Sequence, residues 1–386
     1  MILKRISSNM TLRERHLTIL RGGVPDRIPW NCYGWIVPQT PVSRELVRKG
    51  LGLMGTRRIY TEIHDDVTIR TDRYVVEGAP HEHVTIETPL GTLTEDATFE
   101  SGYGSRWIKK YFITGAQDYP AAEYFFRHTH FEPDFEPWRQ ADAQVGDDGF
   151  TVGEIMPIPL MTLMVNWLGI EGLTDGIYFH TEGFEGLMDA LDRHYDRQIQ
   201  IAAESPAEVI WFGDNVTGTI VSPKWFEKYV APEYKRVMPI MRSAGKIPIA
   251  HYDGANRRLA PYLVRTDLPV IEAFTPPPIG DFTVAEAKAA WPDKVVCINF
   301  PGNLFLESFE TIYSYTLNLL ADGAPGGRFV LGCTEDFPLD TFEKTFTAMG
   351  HALAEYQGFS WEEFLRGFTF LYTKNRRFFV YKKVVF

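Results

Sequence analysis

Cysteine is scarce in this chain of 386 residues: there are three, Cys32, Cys297 and Cys333, too scattered for a disulfide framework and none in a Cys-x-x-Cys pair. Basic charge is in deficit, 39 Lys and Arg against 50 Asp and Glu, for a formal charge of −11. A nucleic-acid groove needs clustered cations to neutralise phosphates, so no nucleic-acid partner is expected. No run of apolar residues approaches the length that crosses a bilayer, and the start of the chain lacks the basic, apolar and small-residue succession of a secretion signal. The expectation is a cytoplasmic protein with no membrane partner. Also missing are a Walker loop, a Gly-x-Gly-x-x-Gly turn after a strand and a Gly-x-Ser-x-Gly elbow, which removes the commonest nucleotide-binding and serine-hydrolase readings.

What the chain does contain is an alternation of strand-like and helix-like segments. Candidate parallel strands are Ile28–Trp35, Asp66–Ile69, Phe150–Met156, Glu208–Gly213, Ile247–Tyr252, Pro269–Phe274, Val295–Phe300 and Arg328–Gly332. Several are nearly continuous apolar runs, as strands covered on both faces are. Phe184, Leu187, Met188, Leu191, Tyr195 and Ile199 recur at helical spacing, which predicts a helix over Gly183–Ala203. Further helices are expected at Thr11–Leu20, Pro223–Arg242, Asn256–Val264, Val284–Trp291, Leu306–Leu320 and Leu339–Tyr356. From about 72 to 115 the pattern turns to alternating β-branched and charged residues around Thr88-Pro-Leu-Gly91, the mark of antiparallel hairpins. Residues 117–146 read as irregular and aromatic-rich, and Lys374–Phe386 has no clear period. The fold expected is a (β/α)₈ TIM barrel of one domain, 1–386, with an inserted β-hairpin lobe.

In such a barrel, polar groups that close a strand are the candidates for chemistry. His251 and Asp253 end one strand and Cys333 ends another; imidazole, carboxylate and thiolate all suit zinc, so these three form the expected metal set. Glu272 and Glu154 interrupt apolar strands with a carboxylate, which must face a cation, a metal or a donor network, or else serve in a structural ion pair or helix cap. Asp214 closes the strand Val209-Ile-Trp-Phe-Gly-Asp and is a candidate for holding a substrate hydroxyl or orienting a ligating histidine. Glu335 and Asp336 either add a ligand or cap the helix near Leu339. Trp35, Tyr252 and Phe274 are the aromatics expected to seat a flat substrate, with Trp211 and Phe300 also near strand ends. Tyr33, Asn31 and Cys32 lie near the end of the first strand; Cys297 lies mid-strand, and neither cysteine is expected to be a nucleophile.

The segments Leu12-Arg-Glu-Arg-His, Leu20-Arg-Gly, Pro25-Asp-Arg-Ile-Pro, Gly213-Asp-Asn, Ser222-Pro, His251-Tyr-Asp-Gly and Gly332-Cys resemble the uroporphyrinogen decarboxylase superfamily along nearly the whole chain. The resemblance implies a (β/α)₈ barrel in one of two branches, porphyrinogen decarboxylases or zinc methyltransferases that work with corrinoid proteins. Decarboxylases carry an arginine-rich segment that clamps the substrate's propionates; here Tyr33-Gly-Trp-Ile-Val-Pro-Gln-Thr40 has no arginine. The methyltransferase branch holds zinc by His-x-Cys and a later Cys, and this chain keeps His251 and Cys333 with Asp253 replacing the first Cys. The expectation is therefore a zinc methyltransferase moving a methyl group from a small donor, favoured to be a phenyl methyl ether, to Co(I) of a corrinoid protein, as in O-demethylation. His251, Asp253 and Cys333 would hold zinc, Glu272, Glu154 and Asp214 would act at the reacting centre, and the corrinoid would arrive on a partner, since no Asp-x-His-x-x-Gly motif is present. The alternatives are a metal-free decarboxylase-like lyase and a non-catalytic barrel that binds a corrinoid partner or tetrapyrrole; a homodimer is left open.

Overall fold

A computed structural model describes residues 10–99 and 105–359. Eight strands close a parallel barrel: β1 (Trp30–Tyr33), β2 (Leu51–Arg58), β3 (Gly149–Ile155), β4 (Val209–Phe212), β5 (Ile247–His251), β6 (Val270–Phe274), β7 (Val295–Ile298) and β8 (Phe329–Cys333). Each pairs with its neighbour in sequence, and β1 closes on β8 with Cys32 beside Cys333. The (β/α)₈ architecture expected from the alternation is the one observed.

Because side chains alternate across a strand, the barrel sorts its apolar residues into two cores. Tyr33, Met54, Val152, Val209, Ile249, Val270, Cys297 and Val330 fill the lumen. Their neighbours, among them Cys32, Phe212, Tyr252, Ile271, Leu331 and Cys333, point outward into the layer beneath the helices. The helix Leu12–Leu20 opens with a capping box between Thr11 and Glu14, and its His16 stacks on Phe150 of β3.

The second strand is not Asp66–Ile69. Asp66 occupies a left-handed turn at φ 54, and Ile69, 41% exposed, belongs to the inserted sheet. The true β2 carries glycines and ends in two arginines, which dilutes its strand signal. Gly52 lies against the His16 ring, where a Cβ would collide with the imidazole. Gly149 at the start of β3 is more constrained still, because a methyl there would fall on the Leu53 carbonyl. Gly149→Ala is therefore expected to cost about 2–3 kcal/mol by forcing β2 and β3 apart; an unchanged urea midpoint would show that the strands tolerate the methyl.

After β2 the chain leaves the barrel. Tyr60–His64 pairs with Thr129–Pro133, and between them Thr68–Val76, Ala79–Thr88, Gly91–Phe99 and Arg106–Lys110 form a four-stranded antiparallel sheet, with Thr88 opposite Gly91 at the turn. Residues 117–146 are more regular than expected. Helices Tyr119–Arg127 and Glu136–Val145 flank Thr129–Pro133, and Pro120 and Pro137 sit in the first turns, where a missing N–H breaks no helical hydrogen bond. The helix expected over Gly183–Ala203 runs from Thr181 to Glu204. Among the described residues no helix is long and apolar enough to cross a membrane. The stretch Lys374–Phe386 lies outside the described residues.

Candidate active site at the barrel mouth

Glu272 organises the mouth. It projects inward from β6, is 3% exposed, and takes three donors: Tyr33 Oη from β1 at 2.9 Å, Trp211 Nε1 from β4 at 3.0 Å and His251 Nδ1 from β5 at 3.0 Å. A buried carboxylate is costly unless its lone pairs are filled, and here three strands fill them. Of the readings left open for Glu272, the structure shows the donor network.

With its Nδ1–H directed at Glu272, His251 presents Nε2 to a cleft of about 500 Å³, with the Asp253 carboxylate 3.9 Å away. Burial works against charge on this imidazole, but Glu272 first, then Asp253 and Glu335, outweigh it, and the pKa is raised above 6.5. Tyr33 Oη, 3.2 Å from His251 Nδ1, is held firmly protonated, because burial and then the Glu272 charge push it well above the usual phenol range. The arrangement suits a proton donor, with the far nitrogen anchored and the near nitrogen offered to a ligand.

Tyr33, Trp35, His251, Asp253, Thr334, Glu335 and Asp336 line the cleft together with Ser105 and Trp107. Trp35, half exposed, stacks on Tyr33 at a centroid distance of 4.2 Å. Glu335 accepts from Asn299 Nδ2 at 2.6 Å, and the same Asn299 accepts from the Thr334 backbone N–H at 3.0 Å. Asp336 accepts from the Ser105 hydroxyl. The helix Phe342–Tyr356 takes no side-chain cap, so neither carboxylate serves it. Ser105 and Trp107, beside and within the last inserted strand, were not foreseen; they reach the mouth only because the sheet folds over it.

Other expected site residues stand elsewhere. Cys333 points away from the lumen: Val330 faces inward on β8, so Gly332 does too, and Cys333 is fully buried in the outer layer beside Cys32. Burial first and the Cys333 neighbour second push the Cys32 thiol well above its ordinary range. His251 and Asp253 share the cleft, but Cys333 lies on the other face of its strand, and the three do not converge on one ion; among the described residues no group of three or more His, Cys, Asp or Glu side chains is placed to hold a metal. The zinc set drawn from the sequence does not fit this geometry.

Tyr252 and Phe274 are also not at the mouth. Tyr252 alternates with the inward His251, and its hydroxyl donates to Tyr234 Oη at 3.1 Å. Phe274 would share a face with Glu272 in a regular strand, but Ala273 adopts φ 58 and the register with β7 slips there. That bulge turns Phe274 outward onto Phe282 and Trp291. Asp214 is wholly buried behind β4, accepting from the Ile158 N–H at 2.9 Å and Tyr234 Oη at 2.5 Å; burial raises its pKa to about 6 against these two bonds. It ties the loops after β3 and β4 to an outer helix and does not line the cleft. Glu154, inward on β3, has Arg58 and Arg57 of β2 beside it; burial outweighs them and its pKa is raised. It too lies outside the cleft lining.

If the site works without Cys333, Cys333→Ala should cost only about 1–2 kcal/mol, as a buried small-to-smaller change does, and leave turnover within about threefold. Loss of turnover together with loss of a bound metal ion would show that the thiol reaches the site after all.

A family model described as uroporphyrinogen decarboxylase (URO-D) matches residues 144–356, from just before β3 to the end of the helix after β8. No curated protein sequence matches the chain. A solved structure described as the inhibition of the pneumococcal virulence factor StrH, with insights into N-glycan recognition and hydrolysis, is 10% identical over 88% of this chain and 87% of that one, at a TM-score of 0.36. So distant a likeness says nothing about chemistry here.

Proposed function

The chain belongs to the uroporphyrinogen decarboxylase family, and from that premise we propose that it is a methyltransferase, taking a methyl group from an aryl methyl ether to the reduced corrinoid of a partner protein. The observation that carries this reading is His251: its Nδ1 is fixed on Glu272, its pKa is raised, and its Nε2 faces an aromatic-walled cleft that, among the described residues, no lysine or arginine lines. The partner's corrinoid is a substrate in this scheme. Its reduced cobalt supplies the electron pair that bonds to the methyl carbon, and the C–O pair passes to the ether oxygen. A phenolate is a poor leaving group in a half-buried site, so a proton must reach that oxygen as the bond breaks. His251 Nε2–H supplies it and the phenol departs. Glu272 holds the ring in register and keeps it charged beforehand; Tyr33 and Trp211, donating to the same carboxylate, keep Glu272 from turning toward the substrate. Tyr33 and Trp35 offer the stacked face on which an arene packs.

No step passes through zinc, because Cys333 stands behind its strand. Among the described residues, a propionate-rich tetrapyrrole finds three carboxylates at this cleft and no guanidinium, which speaks against the decarboxylase alternative. The test is direct. Mixed with a reduced corrinoid protein and a methoxyphenol, the enzyme should shift the corrinoid absorption spectrum to that of its methylated form, and with uroporphyrinogen it should release no carbon dioxide. Carbon dioxide from the porphyrinogen, with no methyl transfer from any methoxyarene offered, would overturn the reading.

A further inference from the structure

The charges of the cleft run opposite to what a carboxylated aromatic needs. Asp253, Glu335 and Asp336 line it, and among its described lining residues the sole basic side chain is His251. That imidazole is already engaged with Glu272 at 3.0 Å and has Asp253 at 3.9 Å. Glu335 and Asp336 take neutral donors, Asn299 and Ser105. Arg57 and Arg58, at the end of β2, are not part of the lining: Arg57 donates to the Thr56 carbonyl at 2.7 Å, and Arg58 pairs with Glu62 at 3.3 Å. The apolar wall opposite these charges is aromatic, with Trp35 51% and Trp107 58% exposed, and the face of an indole attracts a cation as readily as it stacks on a flat ring.

We propose that the cleft selects its aryl methyl ether by the charge of the ring substituent, preferring a protonated amine to a neutral group and rejecting a carboxylate, with Asp253 and Glu335 as the residues that set the preference. The proposal rests on the aryl-ether reading above and adds the substrate class. A ligand charge a few ångströms from two or three half-solvated carboxylates gains or loses about tenfold in affinity, with opposite signs for ammonium and carboxylate. Such a preference fades as salt screens the exposed carboxylates, whereas stacking on the tryptophans does not.

Three probes of nearly one shape test it: para-methoxybenzylamine, para-methoxybenzyl alcohol and para-methoxybenzoate, titrated by calorimetry into the full chain without corrinoid. The amine should bind about tenfold more tightly than the alcohol and the benzoate about tenfold more weakly, with the spread narrowing at high salt. The double variant Asp253→Asn, Glu335→Gln should collapse the spread, bringing the amine and the benzoate to within about twofold of the alcohol measured on the same variant. Equal affinities for the three in the unaltered protein, or tightest binding of the benzoate, overturn charge selection. Methyl transfer to a reduced corrinoid protein is read separately. Transfer without ranking sinks the charge proposal alone, ranking without transfer sinks the methyltransferase reading alone, and absence of binding by all three sinks both.

Discussion

His251→Gln should lower kcat by about 10²–10⁴, the usual span for removing a positioned acid, with KM changing far less. Glutamine keeps a polar group near the Glu272 acceptor but has no acidic proton to give, so in the proposed reaction the loss falls on the step in which the ether oxygen gains charge. In the proposed reaction the active form is the imidazolium. Turnover should therefore be flat at low pH and fall as pH rises through the His251 pKa, which lies above 6.5 because the Glu272, Asp253 and Glu335 charges outweigh burial. The same shift contributes to stability. A raised folded pKa stabilises fully below the unfolded value and loses that contribution as pH climbs through the folded value, so the protein should be easier to unfold on the alkaline side of this window. Turnover that rises across that range would contradict an imidazolium acid and point to a base.

Glu272→Ala carries the other large effect, and it is principally on stability. Three donors, Tyr33 Oη, Trp211 Nε1 and His251 Nδ1, lose their common buried acceptor at once, and the imidazole loses the charge that offset its burial. Breaking a buried, hydrogen-bonded charge pair costs about 3–5 kcal/mol, read as a drop in the urea midpoint. Glu272→Gln isolates the electrostatic part. It preserves the volume and one acceptor oxygen, so it should unfold less readily than the alanine variant. With the carboxylate gone, burial dominates His251 and its pKa falls, moving the descending limb of the pH–rate profile to lower pH. If that limb stays where it was, Glu272 is not what keeps the imidazole charged. If the alanine variant is as stable as the unaltered chain, the hub is dispensable.

The site was partly legible in the sequence. His251, Asp253, Glu335 and Asp336 were visible as polar residues closing apolar strands, and Glu272 as a carboxylate in a strand too apolar to tolerate it unpartnered. Tyr33 and Trp211 were visible as residues but not as donors, because nothing along the chain says that β1, β4, β5 and β6 aim at one point. Cys333 misled for a physical reason. In β8 both faces are buried, so both read as apolar, and hydrophobicity does not reveal which alternate residues face the lumen. One step of phase separates a ligand from a residue packed under a helix.

By itself the sequence determined the fold class, through runs of doubly buried strands separated by helix-length segments, and it determined that the segment after the first strand carries no arginine clamp. Those properties follow from local composition and periodicity, which a chain carries whatever its partners in space. Only the tertiary structure decided the rest. It set the phase of each strand, turned Phe274 outward through the left-handed Ala273, recruited a glycine-bearing segment as β2 in which Gly52 leaves room for His16, required Gly149 of β3 to clear the Leu53 carbonyl, and folded the inserted sheet so that Ser105 and Trp107 reach the mouth. Each depends on contacts between residues distant in the chain, where burial and sterics outweigh local preference.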